Sequence, residues 1–98
     1  MSIMVKFELN AQKDKEVEIH NFFERILKGT RDFSGNEGVK ISHSFEDKAK
    51  LVLIEYWQTQ EDFDKYLNWR KDIGDFETLG TMLSVDPDMQ IFQVIDNA

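Results

Sequence analysis

Apolar and polar residues alternate from the start of the chain. Ile3, Val5, Phe7 and Leu9 take one parity and Met4, Lys6, Glu8 and Asn10 the other, which predicts a strand with unequal faces. After a polar stretch from Ala11 to Asp14 the period lengthens. Ile19, Phe22, Phe23, Ile26 and Leu27 recur at helical spacing, with Lys15, Glu18, Asn21, Glu24 and Arg25 around the rest of the cylinder. The pattern predicts a helix to about Lys28, stopped by Gly29, which adopts the left-handed conformation cheaply. Gly35, Asn36 and Gly38 mark a turn. Alternation returns with Val39, Ile41, His43 and Phe45 against Lys40, Ser42 and Ser44, and Asp47 to Lys50 read as a hairpin connection. Leu51 to Trp57 are apolar on both parities, with Leu51, Leu53 and Trp57 opposite Val52, Ile54 and Tyr56. A strand of that kind belongs inside a sheet.

Thr59 is placed to cap the next helix, with Asp62 at the third position beyond it. Phe63, Tyr66, Leu67, Arg70 and Ile73 share one face of that helix. Gly74 breaks it, Asp75 restarts it, and Phe76, Leu79, Met82 and Leu83 form a second short amphipathic segment. Pro87 ends the helical region, and Met89 to Ile95 read as a last strand. The order β-α-β-β-α-β is that of the ferredoxin-like α+β fold, an antiparallel sheet with helices on one face. Helices cover one face only, yet the third and last strands are apolar on both. The uncovered face calls for a partner, and a homodimer joined sheet to sheet needs a single self-complementary patch.

Composition narrows the classes. The chain has 98 residues, enough for a single domain over 1–98 with a small core, and no Pro/Gly/Ser-rich linker divides it. With no cysteine, disulfides, thiolate metal sites and cysteine nucleophiles are excluded. A formal net charge of -7 argues against nucleic acid and anionic membrane surfaces as partners. Polar residues interrupt the first apolar stretch, unlike a signal peptide, and the run Leu51 to Trp57 is too short to span a bilayer. A cytoplasmic location is the expectation.

Candidate chemistry is sparse. His20 and His43 lack metal-ligand spacing, so no metal site is expected. His43 interrupts an apolar face. A hairpin closed at Lys48 to Lys50 would set it across from Glu55, a pairing that would raise its pKa and suit a general base, although such cross-strand pairs are also common as plain structure. No phosphate loop, nucleophilic serine motif or dinucleotide fingerprint is present, and the paired carboxylates sit at turns and helix starts where capping explains them. The aromatic residues are more suggestive. Trp57, Phe63, Tyr66, Trp69 and Phe76 fall within one strand–helix–helix stretch. Of these, Phe63, Tyr66 and Phe76 could line a flat apolar pocket between helix and sheet, with the Tyr66 hydroxyl as donor and Arg70, one turn on, stabilising a phenolate or enolate. The alternative is that the rings are simply core.

The run LIEYWQTQEDFDKYLNWR, Leu53 to Arg70, resembles the antibiotic biosynthesis monooxygenase family of dimeric α/β-barrel proteins. There the third strand ends in a Trp, an acidic capping segment follows, and an aromatic or His sits on the next helix. Trp57, Glu61, Phe63 and Tyr66 occupy those places, and Asn36, Gly38 and Val39 to Ile41 resemble the turn before the family's second strand. The resemblance implies a homodimer and a cofactor-independent monooxygenase acting with O2 on an aromatic phenol or quinol. Tyr66, Arg70 and His43 would be catalytic; Trp57, Phe63, Trp69 and Phe76 would bind the substrate. The family's haem-degrading members carry an Asn, Trp and His triad. Here Tyr66 holds the Trp position, the His position falls near Phe76, and Asn10 lies near the Asn position, so two of three fail. A non-catalytic dimeric module binding a small ligand fits the same pattern, because fold does not fix function.

Overall fold

A computed structural model describes residues 2–96. The order is β1 (Ile3–Asn10), α1 (Glu16–Asp32), β2 (Asn36–His43), β3 (Lys50–Trp57), α2 (Gln60–Asp72), α3 (Asp75–Gly80) and β4 (Asp88–Gln93). The strands form one antiparallel sheet in the order β2-β3-β1-β4. β1 and β3, with the strongest apolar patterns, are the two inner strands. The ferredoxin-like α+β architecture is therefore observed.

Strand parity fixes which residues meet the helices. Ile3, Val5, Phe7 and Leu9 pair with Trp57, Glu55, Leu53 and Leu51, and all eight are buried. Ile19, Phe22, Phe23 and Leu27 of α1 and Phe63 and Tyr66 of α2 close over them. Thr59 caps α2 as its spacing predicts, its Oγ1 accepting from the Asp62 N–H at 3.1 Å.

Three expectations are corrected. Gly29 does not stop α1, which continues to Asp32; instead it lets α2 come close, since a Cβ at Gly29 would lie 3.2 Å from Arg70 Nη2. The last strand ends at Gln93, two residues before Ile95. The β2–β3 hairpin closes earlier than its alternation suggests. Ile41 pairs with Leu53 and His43 with Leu51, so the partner of Glu55 is Val39 and the His43–Glu55 pair does not form. Local side-chain bonds decide this. Ser44 Oγ accepts from the Glu46 N–H and Asp47 Oδ1 from the Ala49 N–H, which turns the chain while Phe45, apparently next in the strand, stands in solvent.

The other face of the sheet has no helix over it. Met4, Tyr56 and Phe92 form one cross-strand row, and Lys6, Lys40, Ile54 and Gln90 the next. Tyr56 and Phe92 are 40% and 43% exposed.

Candidate functional site

Between the helices and the covered face of the sheet lies a cavity of about 40 Å³, room for about two or three waters. Its walls are apolar: Phe7, Leu9 and Leu53 from the sheet, Phe22, Phe23, Ile26 and Leu27 from α1, and Leu67, Phe76, Leu79 and Pro87 from the later segments. Four polar side chains reach it, namely Glu55, Tyr66, Arg70 and Asp75.

Arg70 organises them. It projects inward from the last turn of α2 and is 5% exposed. Its Nε donates to the Tyr66 hydroxyl at 3.0 Å, and Nη1 donates to Asp75 Oδ2 at 2.7 Å. Nη2 donates to the Ile26 carbonyl at 2.7 Å and to Thr30 Oγ1 at 3.1 Å. The guanidinium lies 4.5 Å from the centre of the Trp69 ring, a cation–π contact. One side chain thus ties α2 to α1 and to the first residue of α3. The Tyr66 hydroxyl also shares a 2.7 Å hydrogen bond with Thr30 Oγ1. Burial, and after it the nearby Glu55, push the Tyr66 phenol above its ordinary range, so it stays protonated at neutral pH.

Glu55 is the unusual member. Parity puts it inward between Leu53 and Trp57, and it is 2% exposed. Trp57 Nε1 donates to its Oε1 at 3.0 Å. Among the described residues that is its one hydrogen bond, and no cation lies within ion-pair distance because the Arg70 fork is turned to Asp75. Burial therefore dominates, and it lifts the Glu55 carboxyl from 4.5 to about 7 against the smaller opposing effects of Trp57 and Arg70.

The expected site residues separate into groups. Tyr66, Arg70 and Phe76 line the cavity. Trp57 and Phe63 are core: Trp57 is fully buried, with ring centroids 4.8 Å from Tyr66 and 6.1 Å from Phe63. Trp69 is half-buried and stacks on Phe33 at 5.4 Å. His43 lies elsewhere, exposed at the end of β2, with Nδ1 2.9 Å from the Ser44 carbonyl. It borders a separate hollow with Glu8, Asn10 and Lys50. Its row crosses β3 at Leu51, four residues from Glu55 or about 13 Å along the strand. Asp75 and Thr30 are site residues that sequence reading passed over, and Glu55 entered it only as a partner for His43. For Glu55 a signal existed, since a carboxylate held the inward parity of a central strand. Among the described residues no group of three or more His, Asp or Glu is placed to hold a metal ion, and no helix is long and apolar enough to cross a membrane.

A ferredoxin-like sheet whose helices cover a largely apolar cavity lined also by ionisable groups defines a class of small α+β domains. Within it, the profile of the antibiotic biosynthesis monooxygenase family matches residues 2–70, and the chain belongs to that family. Solved structures agree on the fold. A conserved protein from Methanosarcina mazei Go1 superposes with a TM-score of 0.88 at 17% identity, covering 95% of this chain and 92% of its own. The protein Rv0793 from Mycobacterium tuberculosis gives 0.81 at 18% identity, covering 100% and 99%. A variant of SnoaB, a cofactor-independent oxygenase from Streptomyces nogalater, gives 0.85 at 11% identity, covering 98% and 95%. No curated protein matches the sequence.

Proposed function

We propose that this protein is a monooxygenase that uses O2 on a small aromatic phenol or quinol, with the helix–sheet cavity as its site. The carrying observation is the set of Glu55, Tyr66, Arg70 and Asp75 in the lining of an otherwise apolar cavity. Membership of the monooxygenase family supports the reaction class, and the cofactor-independent oxygenase among its structural neighbours supports the absence of a cofactor. Apolar walls suit an aromatic ring, and the ionisable groups suit its hydroxyl. The hydroxyl loses its proton, and the electron-rich anion reduces O2. One oxygen atom joins the ring and the other leaves as water, which makes a quinone from a phenol. Arg70 supplies fixed positive charge beside the anion, Tyr66 orients Arg70, and Phe76 forms part of the apolar wall. Trp57, Phe63 and Trp69 hold these groups from behind, and His43 takes no part.

An aromatic ring is larger than the present cavity, so substrate must displace a wall. The movable wall is α3, a six-residue helix that follows Gly74 in the left-handed region at φ 88 and is tied to α2 through Asp75 and Arg70. The protein acts as a homodimer joined through the open sheet face. Met4, Tyr56, Phe92 and Ile54 give that face its apolar surface, while Lys6 and Lys40 share it with Glu8 and Asp88, a mixture that can complement its own twofold copy.

The test is oxygen uptake by the purified protein over a panel of phenols and quinols, with 18O2 incorporation read by mass spectrometry. Uptake above autoxidation with one labelled atom in the product is expected. A second reading, a non-catalytic ligand-binding module, is favoured by the small cavity and by the four internal bonds that occupy Arg70. Binding without turnover, followed by the fluorescence of Trp57 and Trp69, would select it and refute the enzyme.

A further inference from the structure

We infer that Glu55 is the group that takes the proton from the substrate hydroxyl, through Oε2, and that Trp57 is its positioning residue. The inference rests on the monooxygenase reading and adds to it the residue that performs the first step. β3 is a central strand, paired on both sides, so its backbone holds Glu55 rigidly at the sheet surface. Trp57 lies two residues on, on the same face, and its indole N–H fixes Oε1 at 3.0 Å. Among the described residues no hydrogen bond reaches Oε2, the oxygen left to face the cavity from a side chain that is 2% exposed and lines it.

A buried carboxyl with one oxygen unmatched is costly unless something else occupies that oxygen. A phenolic hydroxyl in the cavity would do so, donating to Oε2. In the step itself the substrate O–H bond breaks and an H–Oε2 bond forms. The electron pair stays on the substrate oxygen, and no electron passes to the protein. The negative charge moves from Glu55 to the substrate without leaving the cavity, so its interaction with Arg70 is preserved in kind.

The competing groups are already committed. From α2, Tyr66 is a protonated phenol bonded to Arg70 and Thr30, and Arg70 itself is held by four acceptors. From α3, Asp75 is paired with Arg70. The lining residues of α1 and β1 are apolar, as are Leu53 of β3 and Pro87. Val39, across from Glu55 on β2, carries no charge either. A carboxyl poised at about pH 7 is also matched to proton removal near neutrality.

The experiment compares wild type, Glu55→Gln and Trp57→Phe for phenol binding, turnover and pH profile. Wild-type kcat/KM should rise with pH along a limb near pH 7. Glu55→Gln should still bind the phenol but lose at least about a hundredfold in kcat, with that limb gone. Trp57→Phe, which removes the bond that favours the ionised carboxylate, should shift the limb to higher pH and lose less activity. Such a shift is not the mark of a merely structural residue. An active wild type together with an unaltered Glu55→Gln profile overturns this inference alone. A wild type that turns over none of the phenols, whether or not it binds one, overturns the parent reading and this inference with it.

Discussion

Replacing Glu55 with Gln should change not only chemistry but the pH dependence of folding. The carboxyl titrates at 4.5 in its ordinary setting and at about 7 when buried beneath the helices. Between those values the folded protein keeps a proton that the unfolded chain has released. Stability must therefore fall as pH rises through the interval, and level off above it. At about 1.4 kcal/mol per pH unit the whole interval is worth about 3 kcal/mol, of which about 2.5 kcal/mol falls between pH 5 and pH 8. That is a large share of the roughly 5–10 kcal/mol that holds such a domain together. Glu55→Gln keeps an acceptor for Trp57 Nε1 and removes the titration. Near pH 5 the variant is the weaker protein by about 1–3 kcal/mol, because its amide N–H groups face the cavity without acceptors. Toward pH 8 the comparison moves in its favour by about 2.5 kcal/mol. Urea unfolding followed by tryptophan fluorescence reads the difference, which at about 1–1.5 kcal/mol per molar is a relative shift in midpoint of about 2 M. Parallel pH dependences for the two proteins from pH 5 to pH 8 would refute the reasoning, since Glu55 would then titrate alike in folded and unfolded chains.

Arg70→Met should cost about 2–4 kcal/mol in the same assay, because it strands the half-buried Asp75 charge and unpairs the Ile26 carbonyl. It should also raise the Glu55 pKa further, seen by carboxyl 13C NMR, as a nearby positive charge is lost. Gly35→Ala should destabilise by about 2–3 kcal/mol, since φ is +90 and the new Cβ would meet the Asp62 side chain; Gly74→Ala, at φ +88 with open space around it, should cost only about 1–2 kcal/mol. Urea midpoints of the two variants separate the steric part from the backbone part. Tyr56→Asp should convert a dimer to a monomer in sedimentation, because it puts charge at the centre of the open sheet face; an unchanged mass would reject that face as the interface.

What the sequence made legible follows from how local each signal is. Period-two alternation in β1 and the double-sided apolar run of β3 depend on neighbouring residues, and both strands lie where those patterns put them. The Thr59 cap and the break at Gly74 are equally local and equally readable. Gly29 was misleading for a different reason. Its role is set by Arg70, 41 positions away, whose guanidinium needs the space that a side chain on α1 would fill. The hairpin register is not legible because Phe45 continues the alternation while two local side-chain bonds end the strand before it.

The site shows the same division with a sharper consequence. Tyr66 and Arg70 were readable as neighbours because they are one helical turn apart. That the guanidinium would be turned to Asp75 depends on how α3 folds back, which no spacing announces. The turn of Arg70 away from Glu55 is what makes Glu55 notable. Had the fork faced β3, Glu55 would be an ordinary buried ion pair with a depressed pKa. The contact that closes α3 over the cavity therefore also leaves the carboxyl without a counter-ion. A ligand that pushes α3 outward and loosens Asp75 from Arg70 would free a cation beside Glu55. The local charge would then favour an anion at the moment the cavity becomes large enough to hold one. On the proposed reading, admission of a substrate and its ionisation would be coupled through that single guanidinium, so Asp75→Asn should lower the Glu55 pKa by removing the competitor for Arg70. A Glu55 pKa in Asp75→Asn that stayed at about 7 by 13C NMR would break this link.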